Sequence, residues 1–247
     1  MKATIETTAG TMSVTLYDET PIHRDNFVKL AQSGFYNDLL FHRVIKNFMI
    51  QTGDPESKNA NQQKHLGSGG PGYTLPAEIL FPTFFHKKGA LAAARQSDEV
   101  NPQKASSGSQ FYIVQGQPMT DRELDQIEQS ARYAKEKEIF QQIAETYRSQ
   151  IVALQKANDT EGLNALRDKI YDETKKRVDT MDPFRFTPEQ REAYKTVGGA
   201  SFLDGNYTVF GEVTEGLDII DRIADAKTNA HDRPLVDIKI IQVTIHE

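Results

Sequence analysis

Between Phe41 and Pro55 the chain reads F-H-R-V-I-K-N-F-M-I-Q-T-G-D-P, an apolar run that carries a guanidinium at Arg43 and a carboxamide at Gln51. A strand bound for a core should hold neither unless each has a partner. A guanidinium keeps its charge even in a partly apolar groove, so Arg43 beside Phe48, Met49 and Gln51 makes a hydrogen-bond donor set against an apolar wall. The stretch is the first place to look for function. Taken alone, Arg43 also fits a structural ion pair, and Phe48 and Met49 also fit a core. The six histidines, His23, His42, His65, His86, His231 and His246, have no metal-ligand spacing and there is no cysteine, so a metal site, a disulfide and a thiolate nucleophile are not expected.

Several elements must hold this stretch in place. Residues 2–7 and 12–17 alternate in character around Ala9-Gly10, as a β-hairpin does. Thr20 followed by Pro21 offers a helix start, and Ile22, Phe27, Leu30 and Ala31 make its apolar stripe up to Gly34. Leu39 to Ile50 suggests one or two strands about a turn near Lys46-Asn47. The polar, glycine-rich segment that follows closes on Gly67-Ser68-Gly69-Gly70-Pro71-Gly72; it lacks the Lys-Ser/Thr ending of a phosphate cradle and reads as a mobile loop. Short strands are expected at Leu75 to Glu78, Gly89 to Ala94 and Gln110 to Val114. The alanine run at 90–94 is unusual for a strand and suggests close approach of another backbone.

Composition then changes. Residues 119–197 hold sixteen Asp/Glu and fourteen Lys/Arg, with Pro183, Pro188 and Gly162 as the only helix-breaking residue types. Thr120 with Glu123 forms a capping box, and Leu124 to Leu154 repeats at helical spacing as one long helix. Asp159 or Thr160 caps a second helix and Thr187-Pro188 starts a short third. The narrow apolar stripes predict a charged antiparallel hairpin facing solvent. After Gly198-Gly199 strand character returns at Tyr207 to Val213, a helix is expected at Glu215 to Ala226, and a last strand at Val236 to Ile245. The reading is one β domain, residues 1–118 and 198–247, interrupted by an insertion, residues 119–197. The net charge of -6 argues against nucleic-acid or anionic-membrane partners. With no apolar leader and no long apolar run, a cytoplasmic protein is expected, or a periplasmic one if a leader precedes the sequence.

Four pieces together resemble the cyclophilin family of peptidyl-prolyl cis/trans isomerases: Phe41 to Ile45 with Phe48 to Asp54, Gly67 to Tyr73, Ser107 to Phe111, and Leu203-Asp204-Gly205 with Val209-Phe210-Gly211. They occur in the family's order over roughly residues 2–116 and 198–246. The resemblance implies an eight-stranded antiparallel β-barrel capped by two helices, needing no cofactor. It implies that Arg43 is catalytic and that Gln51 helps hold it, with Phe48, Met49, Tyr112, Phe202, Leu203 and Tyr207 around the proline and Ala92, Ala93 and Gln110 along the neighbouring groove. Proline-containing peptides and unfolded or folding proteins would be the partners of a monomer, and the insertion would serve substrate binding or dock an unknown protein. Phe202 stands where many members have tryptophan and Tyr207 where many have histidine, as in bacterial-type members; without the indole N–H, cyclosporin affinity is expected to fall. Tyr112 in place of phenylalanine brings a hydroxyl that needs a partner. A rival reading is a chaperone or scaffold in which the barrel only grips proline segments and the helical insertion is the main interaction surface.

Overall fold

A computed structural model describes residues 1–246. The chain forms two compact units, Met1–Pro118 with Glu192–Glu247, and Met119–Arg191.

In the first unit, β1 (Lys2–Thr7) and β2 (Gly10–Leu16) make the hairpin, followed by α1 (Pro21–Gln32), β3 (Arg43–Ile45) and β4 (Met49–Thr52). Then come β5 (Thr74–Leu75), β6 (Ala90–Ala93), β7 (Ser106–Ser107) and β8 (Phe111–Val114). Eight strands form one antiparallel sheet in the order β10-β1-β2-β9-β6-β8-β4-β3, where β9 is Val209–Glu215 and β10 is Ile240–His246. The sheet curls until the segment leading into β3 meets the start of β10, through Phe41 N–H to Ile238 O at 2.8 Å and Ile240 N–H to Leu39 O at 2.9 Å. Strand alternation fills the inside with Ile5, Met12, Leu16, Ile50, Leu91, Phe111 and Ile113. Helix α1 adds Phe27, Leu30 and Ala31 to that core, and α6 (Leu217–Ala224) adds Ile219, Ile220 and Ile223.

Several expectations need correction. Thr20 precedes α1, yet its hydroxyl makes no cap bond. The carboxylate of Glu78 accepts from Ile22 N–H at 3.1 Å and His23 N–H at 2.9 Å, so a distant side chain supplies what the local one does not. The strand expected at Leu75 to Glu78 is only β5, paired with β7 in a separate two-stranded sheet. The glycine segment is tied down: Asp54, fully buried, accepts from Gly67 N–H at 2.5 Å and Gly69 N–H at 3.3 Å. A Cβ on Gly69 would lie 2.1 Å from the Asp54 Oδ1, so only glycine lets the loop come this close.

The second unit is built from α2 (Asp121–Thr146), α3 (Arg148–Lys156), α4 (Thr160–Asp179) and the start of α5 (Pro188–Thr196). Ile139, Ile143, Leu166 and Ile170 form its own small core. The capping box at Thr120 and Glu123 is present, and Asp159 caps α4 through Gly162 N–H at 2.8 Å. The single long helix is interrupted at Tyr147, whose hydroxyl donates to Glu173 of α4 at 2.8 Å. Thr146 bonds back to the Ile143 carbonyl at 2.6 Å, which competes with the helical ladder at the same place.

The path out of and back into the first unit is closed by an antiparallel bridge between Gln117 and Gly199, with Gly199 N–H to Gln117 O at 3.3 Å. A Cβ on Gly116 would meet Gly199 Cα at 2.4 Å. Close backbone approach therefore occurs here, against residues 86–88 and 116–118.

Candidate active site

Sheet register brings the chemistry of the first unit into one row. Arg43 on β3 lies opposite Gln51 on β4, Gln51 opposite Tyr112 on β8, and Tyr112 opposite Ala92 on β6. Side chains of one row share a face, and here it is the outer face, where Met49, Ala92, Tyr112, Leu203 and Val209 form a second apolar cluster. Above it lies a cavity of about 350 Å³ whose walls include Arg43, Phe48, Met49, Gln51, Tyr112, Leu203 and Tyr207. A second cavity of about 950 Å³ adjoins it, sharing Gln51, Ala94 and Arg95 and adding Gln110.

The polar groups are chained. Arg43 Nη1 donates to Gln51 Oε1 at 3.4 Å, Gln51 Nε2 to Gln110 Oε1 at 3.0 Å, and Gln110 Nε2 to Gly69 O at 2.7 Å. Arg43 Nε stands 3.8 Å from the Asp232 carboxylate, with both side chains nearly half exposed, so little of the guanidinium's donor capacity is taken up inside the protein. The cavity thus sets a free-ended donor fan beside a thioether and aromatic rings. That arrangement can hold an apolar ring and a carbonyl or amide nitrogen at once.

Not every residue expected at the site lines it. Ala92 and Ala93 are buried within β6, and Ala93 points to the opposite face, into the barrel core. Ala94 and Arg95 line the groove in their place. Phe202 is 66% exposed and packs on Phe48 with ring centroids 5.2 Å apart, outside the cavity wall. Arg95 escaped the sequence reading: its guanidinium lies 4.5 Å over the Tyr207 ring and bonds Asn206 O at 2.8 Å and Asp98 at 2.5 Å. The signal for it is a lone cation at the end of an alanine-rich strand.

The hydroxyl of Tyr112 finds its partner in a buried layer behind the cavity. It meets His86 Nε2 at 3.0 Å, and His86 Nδ1 meets Asp204 Oδ1 at 2.9 Å. A carboxylate only accepts, which places a proton on Nδ1 and turns the other ring nitrogen toward the phenol. Burial, then Tyr207 and Asp204 nearby, push the Tyr112 phenol well above its ordinary value, so it remains an O–H donor. His42, also on the cavity wall, is pulled down to about 4 by burial, against a smaller upward pull from the Asp54 carboxylate.

Among the described residues no group of three or more His, Cys, Asp or Glu side chains could hold a metal ion, and no helix is long and apolar enough to cross a membrane.

Comparison with known proteins agrees with this architecture. The family described as cyclophilin type peptidyl-prolyl cis-trans isomerase/CLD matches residues 2–170 and 191–245. A candidate peptidyl-prolyl cis-trans isomerase of Staphylococcus saprophyticus is 29% identical over 250 residues, covering 100% of this chain and 92% of that one. The peptidyl-prolyl cis-trans isomerase-like 1 of Aspergillus fumigatus is 27% identical over 248 residues, covering 98% of this chain and 93% of its own length. Among solved structures, a Cryptosporidium parvum cyclophilin type peptidyl-prolyl cis-trans isomerase determined in the presence of the dipeptide Ala-Pro shares the fold at a TM-score of 0.58. Its sequence is 19% identical, with 100% of this chain and 99% of that one covered. The chain belongs to the cyclophilin-type peptidyl-prolyl cis-trans isomerases.

Proposed function

We propose that this protein speeds rotation about Xaa-Pro bonds in peptides and folding proteins, with Arg43 stabilising the twisted amide and the cavity holding the proline ring. Rotation must overcome a barrier of about 18–20 kcal/mol because amide resonance is lost on the way. In the twisted state the nitrogen is pyramidal and carries a free lone pair that can accept a hydrogen bond. No nucleophile or cofactor is needed. A donor that bonds this lone pair, or the carbonyl in its twisted orientation, favours the transition state over either planar isomer, and only such differential binding lowers the barrier.

The observation that carries the reading is the row Arg43, Gln51 and Tyr112 at the wall of a cavity of about 350 Å³ that Phe48, Met49 and Leu203 also line. Gln51 accepts from Arg43 and is itself held by Gln110, so the guanidinium is aimed from below while its outer edge stays open. Phe48, Met49, Leu203 and Tyr207 supply the surface a pyrrolidine ring requires.

Arg43→Ala tests this in an isomer-exchange measurement on a short proline peptide. The expected result is a fall in kcat of about a hundredfold, the loss seen when one preorganised donor is removed from a transition state. An unchanged rate would overturn it and leave the rival, a protein that grips proline segments without isomerising them.

A further inference from the structure

Behind the proline-side wall of the cavity runs a buried chain of polar groups that the rotation chemistry itself does not call for. Tyr112 meets His86 at 3.0 Å, His86 meets Asp204 Oδ1 at 2.9 Å, and the hydroxyl of Tyr194 donates to Asp204 Oδ2 at 2.5 Å. Tyr194 is wholly buried, His86 is 1% exposed and Tyr112 is 4% exposed. The chain is braced by backbone bonds as well: His86 N–H donates to the same Asp204 Oδ1 at 2.9 Å, and Ala200 N–H to His86 O at 2.8 Å. Tyr194 also packs edge-on against Phe85, ring centroids 5.5 Å apart.

These contacts join the two sides of the pocket. Tyr112 stands on β8, while Leu203, the neighbour of Asp204, stands on the short turn Ser201–Leu203. Both line the cavity, and no strand pairing links them. Building on the isomerase reading, we infer that Tyr194 is a positioning residue, which through Asp204 and His86 fixes the spacing of Tyr112 and Leu203 and so sets how well the cavity grips a proline ring. Removing the Tyr194 hydroxyl leaves a buried carboxylate oxygen without that donor, and Asp204 with its neighbour Leu203 is then free to shift toward another partner. The residue lies on α5, in sequence that composition alone groups with the charged helical block, yet it belongs to the first unit.

A ring is gripped in the planar and the twisted state alike, so a looser pocket raises KM and spares kcat. Tyr194→Phe, assayed with a short proline peptide well below its melting temperature, is expected to raise KM about three- to tenfold, the worth of one net hydrogen bond, with kcat changed less than about twofold. Tyr112→Phe cuts the same chain, so the double variant should be no worse than the poorer single one. A melting temperature that falls while KM stays unchanged, or single effects that multiply in the double variant, would overturn the positioning role. Should Tyr194→Phe fail to fold, Asp204→Asn carries the same expectation for KM. Arg43→Ala run alongside separates the two claims: a collapsed kcat there with an unchanged KM in Tyr194→Phe removes only the positioning role, whereas an unchanged kcat there removes the isomerase reading itself.

Discussion

Strands β4, β6 and β8 present two faces made by the same few residues, and the faces have opposite contents. Inward go Ile50, Leu91, Ala93, Phe111 and Ile113, with Thr52 as the one polar group, its hydroxyl spent on Leu40 O at 2.9 Å. Outward go Met49, Gln51, Ala92, Tyr112 and Val114, where an amide and a phenol stand among the apolar groups. A two-residue period therefore assigns alternate positions to stability and to chemistry. The inner face acts through the area it removes from water. The outer face acts through where its few polar atoms point.

The largest test of that division is Ile113→Ala on the inner face. A fully buried isoleucine cut to alanine is expected to cost about 2–5 kcal/mol of stability. Turnover per folded molecule should stay within about twofold, read from denaturant unfolding beside a peptide assay. A loss of kcat matching that of Arg43→Ala would break the division. Arg43→Ala should give the mirror image, because its ion pair with Asp232 is nearly half exposed and contributes little to folding.

His42 sharpens the comparison, since it is buried and yet touches the cavity. Its imidazole titrates near 4 in the folded protein, lowered chiefly by burial, against about 6.5 in an unfolded chain. Between those values the unfolded chain binds more protons, so stability rises with pH. The contribution is fully present above about pH 6.5 and disappears as pH falls toward 4, a difference of roughly 3 kcal/mol. Chemical unfolding at a series of pH values should show this slope in the parent protein and a flatter one in His42→Phe. Equal slopes would assign the acid sensitivity to other groups.

The smallest effect is expected from Ala92→Val. Two added methyl groups beneath Tyr112 overpack the outer cluster at about 1–3 kcal/mol, and the displaced ring should raise KM. A melting curve and a peptide titration check the two parts; a lower melting temperature with KM unmoved would show that Ala92 supports the fold but not the pocket.

Much of this was legible in the sequence because the signals are local. The β1–β2 hairpin, α1, α6 and the capping box of α2 follow from alternation, helical spacing and turn chemistry. Arg43 and Gln51 stood out as polar groups in an apolar strand, and register places them side by side. What escaped depends on partners far away in the chain. Four alanines carry no alternation and Leu91 alone marks the inward face of residues 90–94, too little to show that Ala94 and Arg95, and not Ala92 and Ala93, line the groove. The break at Tyr147 has neither glycine nor proline to announce it, and the partner of its hydroxyl, Glu173, sits on another helix. The helix α1 cap comes from Glu78, and the partner of Tyr112 comes from His86; neither spacing matches a local motif.

The bridge between Gln117 and Gly199 has one more consequence. Left unfolded, residues 118–198 would impose on the sheet the entropy of closing a long flexible loop, a cost that grows only slowly with length. With the excursion pinned at its base by one antiparallel bridge, its two ends reach the sheet as neighbours, much as the ends of a tight turn do. Such a junction works as a socket: Gly116, Gly198 and Gly199 set the spacing of its two contacts, and closing it costs nearly the same whatever the length of chain between them.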